Sequence, residues 1–148
     1  MEENGVDAEQ SLRRVALFQE LQPKQIKTLA KWVATRTFQP GQAIVKQGQL
    51  GVGLYCIESG RVSVTLETPD GPRAIRAMGP GESFGELALL DDKPRSATVT
   101  AVEPTTTLIL DKAQFLAELK TYPEIGLALI PVLVQWLRDT DEKLARQP

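Results

Sequence analysis

A chain of 148 residues, 42% hydrophobic and 24% charged, has the size and balance of one domain with one core, burying roughly two-thirds of its unfolded surface. With no histidine and a single cysteine, Cys56, it excludes His-based zinc sites, Ser-His and Cys-His catalytic pairs and an internal disulfide; no metal and no catalytic residue are expected. A net charge of −2 gives no basic footprint for direct nucleic-acid binding, and neither a membrane-spanning apolar run nor a signal peptide is legible, so a cytoplasmic chain without a membrane partner is expected.

Helices are expected over residues 1–37. Pro23 suits a first helical turn, and Ile26, Leu29, Ala30 and Val33 then recur at i, i+3, i+4 and i+7 as one apolar stripe.

Residues 38–111 read as β structure. Nine of the eleven glycines fall between Gly41 and Gly85, where they punctuate the β-prone segments AIVKQ, LYCIES, RVSVTL and RAIRAM at barrel or sandwich spacing. Cys56 lies in the apolar run LYCI as a small buried hydrophobe. In RVSVTL the residues Val62, Val64 and Leu66 alternate with Ser63 and Thr65, and TPDG turns the chain into the next strand as a hairpin. ATVTAV and TTTLIL, separated by Glu103-Pro104, carry the β region to about Leu110.

Residues 112–146 read as helical. Asp111 with Gln114 makes a capping box for DKAQFLAELK, and Thr121 with Glu124 makes another for a longer helix from about Tyr122 to Ala145. Pro131 removes a backbone donor inside it, predicting a kink or a division into two helices. Ile130, Leu133, Val134 and Leu137 form a stripe that covers either the barrel or a second copy of itself, while Asp139 with Lys143 and Glu142 with Arg146 are favourable i, i+4 pairs.

The stretch FGELALLDDKPRSATV, residues 84–99, carries the chemistry. A Gly-rich turn before a short helix-like run presents unpaired backbone N–H groups to an anion, and Arg95 adds a charged planar fork suited to phosphate oxygens, with Ser96 supplying a hydroxyl. Glu86 cannot bind a bare anion, but its carboxylate accepts from a hydroxyl beside a phosphate, as on a ribose. On spacing alone, a sugar-phosphate clamp and a structural Glu86–Arg95 ion pair both remain open.

Together with FQPGQAIVKQG, LYCIESGRVSV, MGPGESFGELALL and PRSATVTAVEP, this stretch resembles the phosphate-binding cassette of the cyclic-nucleotide-binding domain, the β-roll module of catabolite activator proteins, protein kinase A regulatory subunits and cyclic-nucleotide-gated channels. The resemblance covers about residues 12 to 146. It implies a mainly β fold, a double-sheet roll of jelly-roll type with helices before it and a long helix after it, that binds a 3′,5′-cyclic nucleotide as a sensor and passes a conformational change through its C-terminal helix; the alternative is a degenerate member that acts as a dimerisation or docking scaffold without nucleotide. It further implies that Gly85 and the following Leu87 and Ala88 touch the phosphoribose and that Glu86 binds the ribose 2′-hydroxyl. Arg95 would pair with the cyclic phosphate, Ser96 and Ala97 would make the next contacts, and Val64 with Ile75 would wall the base pocket.

The resemblance also bears on the base. Thr140 falls where catabolite activator proteins bond the adenine amino group, which favours cyclic AMP, whereas a serine at Ser96 is also found where cyclic GMP is preferred. Trp136 stands where a basic residue is usual. It lies one turn from Thr140, placed to stack on a base or to pack on the barrel or in a dimer seam. QLGVG, residues 49–53, replaces the usual acidic residues and predicts only a changed surface with Val52 exposed. The expected partners are the nucleotide, a second copy through the C-terminal helix and a protein effector; the sequence stops at Pro148 without an output domain, as in a stand-alone sensor or a receptor fragment.

Overall fold

A computed structural model describes residues 2–147 of the chain, with side chains described from Ala8 onward. Helix α1 (Glu2–Arg13), a 3-10 turn (Ala16–Phe18) and helix α2 (Pro23–Ala30) precede eight strands. These are β1 (Ala34–Phe38), β2 (Ala43–Val45), β3 (Gly53–Ser59), β4 (Val62–Thr68), β5 (Gly71–Met78), β6 (Ser83–Phe84), β7 (Thr98–Ala101) and β8 (Thr105–Asp111). A second 3-10 turn (Glu86–Leu89) interrupts the strands, and α3 (Lys112–Thr121) and α4 (Pro123–Arg146) close the chain.

The strands make two four-stranded sheets, ordered β1-β8-β3-β6 and β2-β7-β4-β5, with every pairing antiparallel. This is the double-sheet roll with flanking helices that the sequence predicts. Period-two alternation explains its two cores. On β3, Tyr55 and Ile57 point into the roll beside Val62, Val64, Phe84 and Val99, while Leu54 and Cys56 point outward to the helices. The outward face meets Leu12, Phe18, Leu29, Phe115 and Leu129, and the Phe18 and Phe115 rings stack at 5.9 Å. LYCI is a continuous apolar run because it is covered on both faces. Burial in that run, with Glu58 and Glu86 nearby, pushes the Cys56 thiol up to about 12, so it behaves as a small hydrophobe.

Several boundaries differ from the sequence reading. The β structure begins at Ala34 and not at residue 38, because ATRTF is an edge strand whose only buried residue is Phe38. Helix α2 stops at Ala30, leaving Val33 outside the helix yet packed on the outer core. Asp111 caps α3 by accepting from the Gln114 N–H at 3.3 Å. Thr121 does not cap α4: it is the last residue of α3, with its hydroxyl bonded to the Ala117 carbonyl, and Tyr122 precedes Pro123 at the first helical position. Pro131 does not divide α4, which runs unbroken for 24 residues, about 36 Å. Arg146 pairs with Glu142, whereas Asp139 accepts from Gln135 at 2.9 Å rather than pairing with Lys143.

The predicted stripe on α4 is split. Leu133 packs on the outer core, while Ile130, Val134 and Leu137, together with Leu127 and Leu144, are exposed. Among the described residues no helix is long and apolar enough to cross a membrane.

Candidate functional site

The cassette closes one end of the roll around a cavity of about 440 Å³, within the usual range for small-molecule sites. Its floor comes from the roll interior, Val64 and Val99, and its rim from the second 3-10 turn and the segment leading to β7. The strand pairs Tyr55–Phe84 and Cys56–Ser83 dock β6 on β3, so the chain leaves the sheet at Gly85 directly beside Arg95. Gly85 caps the turn in the left-handed region at φ 89°, and a Cβ there would collide with Arg95 Nη1 and the Gly53 carbonyl. Glycine is required twice over at this position, by conformation and by space. Within the turn the Ala88 N–H donates to the Gly85 carbonyl at 3.0 Å.

Arg95 is held from several sides. Its Nη2 donates to the Gly53 carbonyl at 2.8 Å, and its Cζ lies 5.8 Å from the centre of the Tyr55 ring, which itself stacks on Phe84 at 5.1 Å. Its backbone N–H donates to the Gln49 carbonyl at 2.7 Å, and its carbonyl accepts from Gly48 at 2.9 Å. The Nε–H is buried without a partner. Burial pulls the guanidinium below the ordinary arginine pKa, with Tyr55 acting in the opposite direction; a guanidinium nonetheless stays charged. Among the described residues Arg95 has no carboxylate partner: the ion pairs are Glu9–Arg13, Asp92–Lys112 and Glu142–Arg146. The structural Glu86–Arg95 ion pair that the sequence left open is therefore not formed. Both residues line the cavity and neither neutralises the other.

The remaining candidates divide into two groups. Gly85, Glu86, Leu87, Ala88, Ser96, Ala97 and Val64 all line the cavity with Arg95, and Leu87 and Ser96 are exposed. Ile75 does not. A bulge between Val64 and Thr65 pairs Val64 with Arg76 and Thr65 with Ala74, so Ile75 falls unpaired and exposed while Arg76 takes its place on the cavity wall. Trp136 and Thr140 also lie off the cavity. Trp136 packs against the outer core, and the exposed Thr140 hydroxyl donates to the Trp136 carbonyl at 3.0 Å.

Sequence reasoning missed the residues that hold Arg95. Val52 is exposed as expected, at 57%, but QLGVG is more than surface. Gln49 and Gly53 accept from Arg95, Leu50 bridges to Pro94, and Val52 accepts from the Lys112 N–H. The available signal was the pair of glycines in a segment with no turn to make.

Residues 35–122 match the family model described as "Cyclic nucleotide-binding domain". The chain belongs to the cyclic nucleotide-binding domain family. Over 129 residues it is 36% identical to the Cyclic AMP receptor protein of Thermus thermophilus, covering 86% of this chain and 60% of that protein. Over 109 residues it is 39% identical to a cGMP-dependent protein kinase of Eimeria tenella, covering 74% of this chain and 10% of the kinase. The crystal structure of the N-terminal domain of a transcriptional regulator from Streptomyces coelicolor A3(2) superposes with a TM-score of 0.82 at 32% identity, covering 90% of this chain and 94% of that one. The chain thus spans six-tenths or less of these curated relatives' own length.

Proposed function

We propose that this chain acts as one non-catalytic sensor domain whose ligand is a purine 3′,5′-cyclic monophosphate, seated with its phosphate on Arg95 and the amides after Gly85 and its ribose 2′-hydroxyl on Glu86. One observation carries the reading: among the described residues Arg95 is a half-buried cation with no counter-anion, on the same cavity as a carboxylate without an ion pair. A ligand bearing an anionic phosphate beside a hydroxyl satisfies both, and a bare phosphate or a neutral sugar satisfies only one. Ser96, Leu87 and Ala88 complete the rim, and Val64 with Ala97 supplies apolar wall.

Cyclic AMP is the first candidate. The curated relatives include a Cyclic AMP receptor protein, and Thr140 would bond the adenine amino group. Thr140 lies off the cavity, so that contact requires α4 to swing over the cavity mouth; its hydroxyl, which donates to the Trp136 carbonyl, keeps a lone pair to accept from the amino group. A specific observation favours cyclic GMP as the second candidate: Arg76 lies on the wall, and a guanidinium matches the adjacent O6 and N7 acceptors of guanine.

The response would leave through the helices. Lys112, at the head of α3, donates from Nζ to the Asp91 carbonyl and pairs with Asp92, both in the cassette loop, and α3 packs on α4. Movement of the cassette thereby pulls on α3 and resets α4, the surface offered to a second copy and to a protein effector.

Calorimetric titration with cyclic AMP, cyclic GMP and 5′-AMP tests the reading. The expected result is saturable binding of at least one cyclic nucleotide at one site per chain and much weaker binding of 5′-AMP. No heat from either cyclic nucleotide, with unchanged melting in excess ligand, would make the chain a docking scaffold.

A further inference from the structure

Gly51 is a glycine that backbone conformation does not demand. No turn is made there and its φ is not positive, yet it stands half-buried where the segment 48–53 crosses behind the cassette. A Cβ added at Gly51 would lie 2.7 Å from Ala88 Cβ, 2.8 Å from Arg95 Nε and 3.0 Å from Arg95 Cζ. The first two approaches are shorter than a methyl group tolerates and the third is tight, and all belong to two residues that line the cavity. The Nε it would strike is the buried donor without a partner.

Neither neighbour can yield without disturbing the seat. Arg95 is fixed at its far end by the Gly53 carbonyl, on one side by the Tyr55 ring and at its backbone by Gln49 and Gly48. Ala88 is fixed in the 3-10 turn, where its N–H donates to the Gly85 carbonyl at 3.0 Å. The guanidinium thus runs through a slot with a glycine on each side, Gly51 at Nε and Gly85 at Nη1. The segment is also tied at both ends, to Arg95 by Gly48 and Gln49 and to α3 by Val52.

We propose that Gly51 is a positioning residue for the cyclic-nucleotide site: its missing side chain lets the 48–53 segment press against Arg95 Nε and Ala88, which sets where the guanidinium and the turn meet the phosphate. The segment is a template behind the cassette and touches no ligand. This rests on the reading of Arg95 as the phosphate contact. A methyl group at Gly51 either rotates the guanidinium or lifts the turn, and each movement removes a charge-assisted contact from the phosphate.

The test is Gly51→Ala, followed by cyclic AMP and cyclic GMP affinity, ligand-free melting and the Arg95 Nε–H nuclear magnetic resonance signal of ¹⁵N-labelled protein. Gly126→Ala serves as the control, since a Cβ there meets only ordinary contacts with Leu119 in the helical region. Gly51→Ala is expected to weaken both nucleotides about tenfold or more, the scale of one lost charge-assisted hydrogen bond, and to shift the Nε–H signal before any ligand is added. Gly126→Ala should change neither. If Gly51→Ala alone does not fold, the double variant Gly51→Ala/Ala88→Gly restores room beside the turn and must still show the shifted signal and weakened binding. Wild-type affinity, or lost affinity with an unmoved Nε–H signal, would overturn the proposal. Wild-type affinity in Arg95→Leu would instead overturn the site itself, so the two failures are distinguishable.

Discussion

Arg95 donates to the Gly53 carbonyl at 2.8 Å and makes no ion pair with Glu86, although both residues line one cavity. A carbonyl gives a guanidinium direction but not neutralisation. The cassette therefore keeps its cation and its carboxylate available for a ligand that carries the complement of each.

The carboxylate prediction follows from ribose chemistry. Glu86→Gln should weaken cyclic nucleotide binding by ~1.5–3 kcal/mol, and replacing the ribose 2′-hydroxyl by hydrogen should cost a similar amount. The two changes remove one bond, so their combined loss should not exceed the larger single loss by much. Titration of both proteins with both ligands checks this, and fully additive losses would place Glu86 away from the hydroxyl.

Base choice separates two residues on different elements. If α4 swings over the cavity, Thr140→Ala should weaken cyclic AMP by ~0.5–1.5 kcal/mol and cyclic GMP less. If Arg76 reads the base, Arg76→Ala should weaken cyclic GMP by ~1–3 kcal/mol and cyclic AMP less. Equal losses for both nucleotides at Thr140 would leave it with only the helix bond to Trp136.

The exposed face of α4 predicts a dimer. Leu127, Ile130, Val134, Leu137 and Leu144 recur at spacings of three, four and seven residues on one side of a helix whose other side is already on the core. Sedimentation should find a dimer, and Leu137→Glu should shift it toward monomer, since each buried leucine contributes about 1.5–3 kcal/mol. A monomer at high concentration with and without nucleotide would contradict this.

The sequence was most informative where one residue type answers one local demand. Val62 and Val64 alternate because one face is buried, the TPDG turn closes the β4–β5 hairpin, and Gly85 before Glu86 marks the turn. It was less informative where tertiary packing decides. Five residues of β1 bury only Phe38, so ATRTF shows no alternation to read. The bulge opposite Val64 moves the wall from Ile75 to Arg76, and a one-residue slip of that kind leaves no mark in a strand that is mostly exposed. Trp136 lies on the outer core rather than over a base because the inner face of α4 is needed to cover α3 and the first 3-10 turn. Gly51 was legible only as a glycine without a turn to make, because its reason lies in neighbours 37 and 44 positions away, Ala88 and Arg95, and not in its own backbone.

The most direct measurement is titration and melting of Arg95→Leu beside the wild-type protein. Among the described residues Arg95 is a partly desolvated cation without a carboxylate partner, so its loss should leave the ligand-free melting temperature nearly unchanged or raised. Cyclic nucleotide binding should fall by ~3–5 kcal/mol, at least about two orders of magnitude, because the phosphate then loses its guanidinium and is left beside the Glu86 carboxylate. A destabilised ligand-free protein with nearly unaltered binding would contradict the account, making Arg95 a structural strut and placing the phosphate elsewhere.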